Sequence, residues 1–330
     1  MNVVLAAAAA NGVEESTELA PQHDSYFLRN SGRVNVATKE QRTLLASIPV
    51  NESAVLRALY DGTGGPNWIR RNGWLASRNE CEWEGISCDS QGSHVVRINL
   101  IANNLRGSLP WDLFSNLTKL QRLTVSGNSI GGQLPTFAGS QALLEVDVAN
   151  NQFTGSIPSF AGLTQLQFFS AYSNQLSGSI PSLTGVANLA ALDLSENKLT
   201  GPIPSLTGLT SLEGLEIDDN QLTGSIPSLN GLTSLQFFYA QLNQLTGAIP
   251  SLAGLSSLRF FRVGFNRING LVPAVPGSGT LVSGASNLCP NPFDTTQSPN
   301  DFAWDAATGI SPWWGEHGGR CDILYEGSFE

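Results

Sequence analysis

One asparagine recurs along the middle of the chain at almost constant spacing, and this repeat restricts the possible folds more than any other feature. When the motif LxxLxLxxN is numbered from 1 to 9, Asn occupies position 9 in eight in-register copies. The first interval, from Asn103 to Asn128, is the longest, and all later intervals are equal to one another. Self-similarity at a fixed period is typical of stacked repeats. The eight residues are Asn103, Asn128, Asn151, Asn174, Asn197, Asn220, Asn243 and Asn266.

The apolar pattern inside each copy predicts a short strand with one buried face. Positions 4 and 6 are apolar and alternate with positions 3, 5 and 7, which is the period of a strand. A single copy cannot bury that face, but stacked copies bury it continuously, so we expect a solenoid with a parallel sheet. Each Asn falls where the chain leaves its strand, and its amide can pair with backbone groups that would otherwise be buried unpaired. We therefore interpret the Asn series as structural.

The interior positions show volume compensation between neighbours in the chain. Phe169 and Phe238 occupy position 4, where other copies have Leu, Val or Ile, and Ala171 and Ala240 follow at position 6. A ring beside a methyl group keeps the volume of the layer nearly constant, as close packing requires.

Composition and motifs argue against several classes of protein. The net charge is −10, with no basic stripe, which disfavours a nucleic-acid partner. No apolar run approaches the length of a transmembrane helix. The chain lacks GxSxG, HExxH and P-loop motifs, and its three His residues lie outside the repeats or at their edge. We therefore predict a protein that is not an enzyme and that holds no cofactor and no metal.

Four Cys lie in two groups, at residues 81 and 88 and at residues 289 and 321. Four Cys allow three pairings. Because the middle of the chain lacks Cys, the grouping favours Cys81–Cys88 and Cys289–Cys321. A zinc site is disfavoured, since neither group has CxxC spacing and no His is suitably placed. Disulfides indicate an oxidising compartment, so we expect a secreted, extracellular or cell-surface protein.

The segment after each strand has the form NxLxGxIP, as in Asn197 to Pro204 (NKLTGPIP), and residues 92–275 as a whole resemble the plant-type leucine-rich repeat. Residues 58–88 resemble the N-terminal cap of that family, and residues 287–321 resemble the C-terminal cap of secreted bacterial members. The resemblance implies an α/β solenoid, with a curved parallel sheet on the concave face, short 3-10 or irregular convex segments and disulfide-stabilised caps. Receptor ectodomains and polygalacturonase inhibitors share this repeat, although the usual turn of the plant receptors is one residue longer than the regular turn of this chain.

These observations divide the chain into five segments. Residues 1–45 are a disordered or signal/leader region, 46–91 the N-terminal cap, 92–275 the eight repeats, 276–321 the C-terminal cap and 322–330 an acidic tail. Within the first cap, the apolar spacing predicts a helix near residues 52–60, with Asn51 as its N-cap.

In such a repeat, positions 3, 5 and 7 face the concave side, and they give this chain an acidic centre flanked by aromatic side chains. Exposed aromatics often anchor interfaces, and carboxylates favour a cationic partner. The alternative is a solvated face on which the rings pack against one another. A calcium site or a catalytic carboxylate pair is the weaker interpretation of the acids, because an open face supplies few ligands. The candidate binding residues are Phe168, Tyr172, Asp193, Glu216, Asp218, Phe237, Tyr239, Phe260 and Arg262.

We therefore predict a secreted leucine-rich-repeat binding module that recognises a protein or polysaccharide partner through its concave face, whose acidic centre favours a cationic partner. Two alternatives keep the fold and change the role. One is an inhibitor of an extracellular hydrolase, and the other is a carbohydrate-directed cell-surface adhesin. The sequence leaves the oligomeric state open.

Overall fold

The computed structural model describes residues 48–110, 112–277, 280–293 and 301–309. The predicted leader at 1–45 and the acidic tail at 322–330 lie outside these residues, as does the end of the predicted C-terminal cap. Two α-helices are described, α1 (Val50–Gly62) and α2 (Asp301–Thr308). Short 3-10 helices span Gly65–Asn67, Glu80–Glu82 and Phe114–Asn116.

Nine strands form the main sheet, and the predicted parallel solenoid is confirmed. The first strand is antiparallel to the second, and every later neighbour is parallel. From the second strand onward, each strand pairs with the strand one turn later at the same repeat position, so equal positions of successive repeats form rows across the sheet. The strands are β1 (Ile86–Cys88), β2 (Val95–Asn99), β4 (Arg122–Thr124), β6 (Glu145–Asp147), β8 (Phe168–Ser170), β10 (Ala191–Asp193), β12 (Gly214–Glu216), β14 (Phe237–Tyr239) and β16 (Phe260–Arg262).

A second set of short parallel strands follows the Asn of each repeat. Six of them form one sheet and the last two pair with each other. The Gly at or near the end of most of these strands has a positive φ, +76° at Gly201, which turns the chain back toward the next crossing. The strands are β3 (Arg106–Ser108), β5 (Ser129–Gln133), β7 (Gln152–Gly155), β9 (Gln175–Ser179), β11 (Lys198–Pro202), β13 (Gln221–Thr223), β15 (Thr246–Gly247) and β17 (Arg267–Ile268).

A continuous apolar core lies between the two sets of strands. Phe169 and Ala171 are both fully buried, as are Phe238 and Ala240, so the predicted compensation is confirmed. The larger rings pack on their neighbours from adjacent turns. Phe238 stacks on Phe261 with a centroid distance of 5.2 Å. Large and small side chains are therefore buried side by side in these layers, as close packing requires.

The repeated asparagines form the predicted internal ladder. The Nδ2 atom of Asn197 donates to the carbonyl oxygens of Ala171, Leu194 and Ser195 at 2.9, 3.1 and 3.0 Å, and its Oδ1 accepts from the Leu176 amide at 2.9 Å. Each rung thus joins two turns and pairs backbone groups that water cannot reach. At the start of the ladder, Oδ1 of Asn103 accepts from the amide of Arg70 in the N-terminal cap.

The ladder has a further rung, Asn291, which the sequence reasoning missed. Its Nδ2 donates to the carbonyl oxygens of Val263 at 2.8 Å and Leu288 at 2.6 Å, and its Oδ1 accepts from the Ile268 amide at 2.9 Å. The interval from Asn266 to Asn291 equals the first interval of the series, from Asn103 to Asn128. That interval was the available signal, but the lack of the apolar motif around Asn291 hid it.

The N-terminal cap confirms one prediction and corrects another. The Cys81–Cys88 disulfide is present. Helix α1 begins at Val50 after Pro49, and no side chain of the described residues caps it, so the prediction that Asn51 is its N-cap was wrong: Asn51 lies inside the helix. Glu52 is buried instead and accepts from the Val95 amide at 2.7 Å, with His94 Nδ1 also 2.7 Å away. The carboxylate therefore accepts a hydrogen bond from the first backbone amide of strand β2.

The C-terminal cap is described in part. Trp304 of α2 is fully buried, and its ring centroid lies 6.2 Å from that of Phe261. Its Nε1 donates to the Pro273 carbonyl at 2.8 Å. The ring thereby covers the last layer of the core. The predicted Cys289–Cys321 pairing includes a residue outside the described part of the chain.

Candidate ligand-binding face

The register of the main sheet brings one row of position-3 residues together on its concave face. Phe168, Ala191, Gly214 and Phe237 follow one another on adjacent strands. Two small residues therefore lie between two rings, which stand three strands apart, about 14 Å at the usual strand spacing. We call this feature the groove. Ala191 is half-buried and Gly214 is buried, and the atom nearest to a Cβ built on Gly214 is Ala191 Cβ at 4.0 Å, so a small side chain at residue 214 would meet no close neighbour.

Aromatic side chains build the C-terminal wall of the groove. Phe237 stacks on Phe260 with a centroid distance of 5.1 Å and an interplanar angle of 8°. Tyr239 meets both rings edge-on, and the Arg262 guanidinium lies over its ring at 4.9 Å. Phe168, Phe237 and Phe260 are half-buried, so part of each ring faces outward.

Two predicted binding residues are covered by their neighbours. Tyr239 is 4% exposed and Asp193 is 3% exposed. Asp193 Oδ1 accepts from the Ser195 amide at 3.1 Å and from the Ser195 hydroxyl at 2.5 Å, and Oδ2 accepts from Ser170 Oγ at 3.5 Å. Both side chains therefore support the face from within, and direct ligand contact by either of them stays a prediction.

The carboxylates of the sixth repeat differ from Asp193 in their surroundings. Burial raises the pKa of Glu216 to about 8, helped by Asp193 and Asp218, while Arg262 opposes the shift. Burial also raises the pKa of Asp218 to about 6, with further increases from Asp193, Asp219 and Glu196. None of the ion pairs between described residues includes Glu216 or Asp218. Burial and mutual repulsion therefore oppose ionisation here, so at pH 7 Asp218 is mostly ionised whereas Glu216 is mostly protonated in the free protein.

Earlier repeats show the opposite arrangement, in which charges are matched within the protein. Arg122 Nη1 lies 3.0 Å from Glu145 Oε2 on the next strand. Ser126 Oγ donates to Asp147 Oδ2 at 2.5 Å, and the Ala149 amide donates to its Oδ1 at 3.1 Å. Burial nevertheless raises the pKa of Asp147 to about 6.

Tyr172 stands beside the groove and is tied to the neighbouring turn. Its hydroxyl donates to Glu196 Oε1 at 3.0 Å. Burial and this bond to the carboxylate raise the pKa of Tyr172 to about 12, so the phenol is neutral at physiological pH. The Tyr172 hydroxyl and the Glu196 carboxylate thus form a hydrogen-bonded polar pair beside the groove.

Leu242 and Phe265 extend the apolar surface, and Leu242 was missed by the sequence reasoning. Both occupy position 8, where the backbone is left-handed, with φ of +56°. They are 45% and 41% exposed. Position 8 is Asn, Ser, Glu or Asp in the four preceding repeats, residue types more easily exposed to water. The available signal was therefore two large apolar residues at a position that is otherwise polar.

Comparisons with known proteins agree with the repeat and its geometry. The family model described as Leucine Rich Repeat matches residues 188–209, which contain strand β10 and its ladder asparagine. The crystal structure of PEPR1–AtPEP1 is similar with a TM-score of 0.67 and 28% identity, over 78% of this chain and 37% of that one. The repeats of this chain are leucine-rich repeats of the plant type. The matched family model describes a structural repeat and not a catalytic domain.

Further proteins similar to this chain include plant receptors. The HAESA ectodomain of Arabidopsis, in complex with an N-terminally extended IDA peptide hormone ligand, has a TM-score of 0.62 and 28% identity, over 78% of this chain and 44% of that one. The receptor-like tyrosine-protein kinase PXC3 of Arabidopsis thaliana is 32% identical over 96 residues, 29% of this chain and 10% of the relative. The chain therefore matches only about a tenth of that relative's length. No helix in the described residues of this repeat protein has the length and apolar character needed to cross a membrane.

Proposed function

We propose that the chain is a recognition module that binds a positively charged polypeptide through the groove. One observation carries this proposal. Glu216 and Asp218 lie beside the groove between Phe168 and Phe237, and no ion pair between described residues includes them. An ammonium or guanidinium group of a ligand would favour the ionised forms of both carboxyls and pair with them. The two rings would add apolar contact to the same ligand.

The similar structures support a polypeptide as the ligand. One of them is the complex PEPR1–AtPEP1, and another holds a peptide hormone ligand. A polypeptide laid across the strands would meet both the carboxylates and the rings. Because the parallel sheet is rigid, little conformational entropy would be lost by the receptor on binding.

We also propose that the module works outside the cell or at its surface. The Cys81–Cys88 disulfide persists in an oxidising compartment, and the similar chains include receptor ectodomains. Detection of the native protein in the culture medium or on intact cells, with a cytosolic marker as control, tests this location. Recovery only with the cytosolic marker would contradict it.

The polypeptide proposal is tested by selecting random peptides from a display library on the immobilised protein. We expect the selected peptides to be enriched in Lys and Arg. The variant Ala191→Leu fills the half-buried floor of the groove without entering the core, and it should lose binding to these peptides. The double variant Phe168→Ala with Phe237→Ala should also lose it, since both walls are removed.

A matched control is Thr200→Leu, which adds a similar apolar group on the exposed second sheet and should bind as wild type does. Selected peptides without positive charge, or peptides that bind Ala191→Leu as tightly as wild type, would contradict the proposal. The same variants distinguish the peptide-binding proposal from the predicted alternative of a hydrolase inhibitor. An inhibitor would lower the activity of an extracellular hydrolase at stoichiometric amounts, and only the unfilled groove would do so.

A further inference from the structure

Two short motifs of the form Asn-x-Ser/Thr occur in the sequence, and neither belongs to the ladder or to the groove. They begin at Asn51 and at Asn116, and neither has Pro in the middle. This motif is the acceptor for N-linked glycans on the surface of secreted proteins. Because a motif of three residues also arises by chance, the surroundings of each copy in the fold must decide whether it is used.

The first copy lies inside helix α1, where its two functional groups are kept apart. Residues two positions apart on a helix do not face each other, so the Asn51 amide and the Ser53 hydroxyl point to different sides. Ser53 Oγ donates to Glu80 Oε1 at 2.5 Å, and Glu52 between the two groups is buried. The fold therefore occupies this motif with contacts of its own.

The second copy lies in the crossing between strands β3 and β4, at the end of a 3-10 helix. Phe114 and Leu117 are fully buried and hold this crossing to the core, whereas Thr118 is exposed. The Asn116 amide makes no side-chain hydrogen bond with a described residue, and neither of its polar atoms is buried. Both functional groups of this motif are therefore open to water.

Asn116 begins a row along the edge of the solenoid that otherwise consists of glycine. The equivalent residues, at the same distance before each later ladder asparagine, are Gly139, Gly162, Gly185, Gly208, Gly231 and Gly254. A Cβ built on Gly162, or on any later member of the row, would meet no atom within 4 Å. This edge of the molecule therefore has room for a bulky group attached to Asn116.

The local backbone explains why the first crossing carries a side chain at this edge and the later ones do not. Gly162 has a φ of +85°, a conformation that disfavours any residue with a side chain. Asn116 instead ends the 3-10 helix that begins at Phe114. The longer interval from Asn103 to Asn128 accommodates this helix. The irregular first interval of the repeat thus presents an asparagine where the regular turns require glycine.

We propose that Asn116 is an acceptor site for an N-linked glycan. Its Nδ2 forms a bond to the anomeric carbon of a lipid-diphosphate-linked oligosaccharide, the bond from that carbon to the diphosphate oxygen breaks, and the amide loses one proton. The proposal rests on the proposed extracellular location, because this transfer takes place in the secretory pathway. Asn116 lies outside the main sheet and precedes β4, whereas the groove begins at β8, so the glycan is attached away from the groove.

The test is to direct the full chain into the secretory pathway of cultured animal cells with a cleavable leader and to purify it from the medium. Its mass is measured before and after treatment with a peptide N-glycosidase, which leaves Asp at each position that carried a glycan. We expect wild type to lose mass and to contain Asp at position 116. Asn116→Gln should carry no glycan at this site.

Two substitutions at Thr118 form a matched pair. Thr118→Val keeps the shape of the side chain but removes the hydroxyl, so the glycan at Asn116 should be lost. Thr118→Ser retains the hydroxyl and should retain the glycan. Since the Asn116 amide makes no hydrogen bond with a described residue, Asn116→Gln should melt together with enzymatically deglycosylated wild type, which shows that the variant is folded.

Secreted wild type with an unmodified Asn116 overturns the proposal, as does a glycan at Asn51 alone. A glycan at Asn116 that persists in Thr118→Val also overturns it, because the attachment then does not use the motif. The added leader separates this failure from a failure of the proposed location. An unmodified Asn116 in the secreted chain refutes the glycan site alone, whereas native protein recovered only with the cytosolic marker refutes the location and the glycan site together.

Discussion

The concave face has two parts that share one scaffold and differ in how their polar groups are matched. In the paired half, repeats 2 to 5, carboxylates accept hydrogen bonds or form ion pairs with nearby side chains, as Glu145 does with Arg122 and Asp193 with Ser195. In the open half, repeats 6 to 8, Glu216 takes part in no described ion pair and Gln241 Oε1 has no partner among the described residues. Unmatched polar groups destabilise a fold, so the two parts differ in the stability cost of their polar groups and in what a ligand could contribute to them.

The largest expected effect tests whether the two halves really have the same scaffold. Asn151 lies in the paired half and Asn220 in the open half, and each makes four hydrogen bonds within the ladder. Either change to Ala should lower the free energy of unfolding by about 2–4 kcal/mol, because buried backbone groups lose their partners. Urea denaturation measures both. If the two variants lose clearly unequal amounts of unfolding free energy, the halves also differ in the buried ladder and not only on the concave face.

The next effect compares a carboxylate of each half through the pH dependence of stability. Burial raises the pKa of Glu216 from 4.5 to about 8, so the folded state binds this proton more tightly than the unfolded state. The resulting stabilisation is complete below pH 4.5 and is lost as the pH rises through about 8. Gln is neutral throughout, so Glu216→Gln should melt several degrees above wild type at pH 8 to 9 and together with it near pH 4.5.

Asp147→Asn is the matched change in the paired half. Both oxygens of Asp147 accept hydrogen bonds, from Ser126 and Ala149, and the amide NH₂ of Asn cannot replace the second acceptor. We expect its melting temperature at pH 8 to be unchanged or lower. Equal gains in both variants would show that the division into paired and open halves does not describe the energetics.

A smaller effect concerns the affinity of the cationic peptides proposed to bind the groove. Such a peptide favours the ionised forms of Glu216 and Asp218, whose pKa values are raised to about 8 and about 6. Affinity should therefore rise by about tenfold between pH 5 and pH 8, which corresponds to one unit of pKa change on binding. Calorimetric titrations at several pH values measure it. Glu216→Gln should flatten the profile, and an unchanged profile in that variant would remove Glu216 from the site.

The smallest effect belongs to the surface of the paired half. Arg122 and Glu145 are partly exposed, and ion pairs of this kind contribute about 0.2–1 kcal/mol to stability. A double-mutant cycle with Arg122→Ala and Glu145→Ala should give a coupling energy in that range and leave peptide binding unchanged. A large loss of peptide binding in either variant would extend the binding surface into the paired half.

The sequence was sufficient to predict the solenoid, the ladder and the buried Phe–Ala pairs. All of these follow from one local pattern, because a residue at a given repeat position contacts the same position one turn later. Asn197 therefore has partners equivalent to those of the neighbouring rungs, whatever the rest of the chain contains. The row of Phe168, Ala191, Gly214 and Phe237 could likewise be read from positions alone.

The tertiary structure decided what is not periodic. Glu52 pairs with the backbone of Val95, far along the chain, and Asn291 joins the ladder without a recognisable motif around it. Asp193 and Tyr239 were both predicted to face the ligand. Their burial depends on the particular side chains of the adjacent turns that cover them. The close approach of Gly264 to Asn287 arises only where the cap meets the last repeat. A repeat sets which residues are neighbours, whereas charge matching and closure at the ends depend on the particular side chains that meet there.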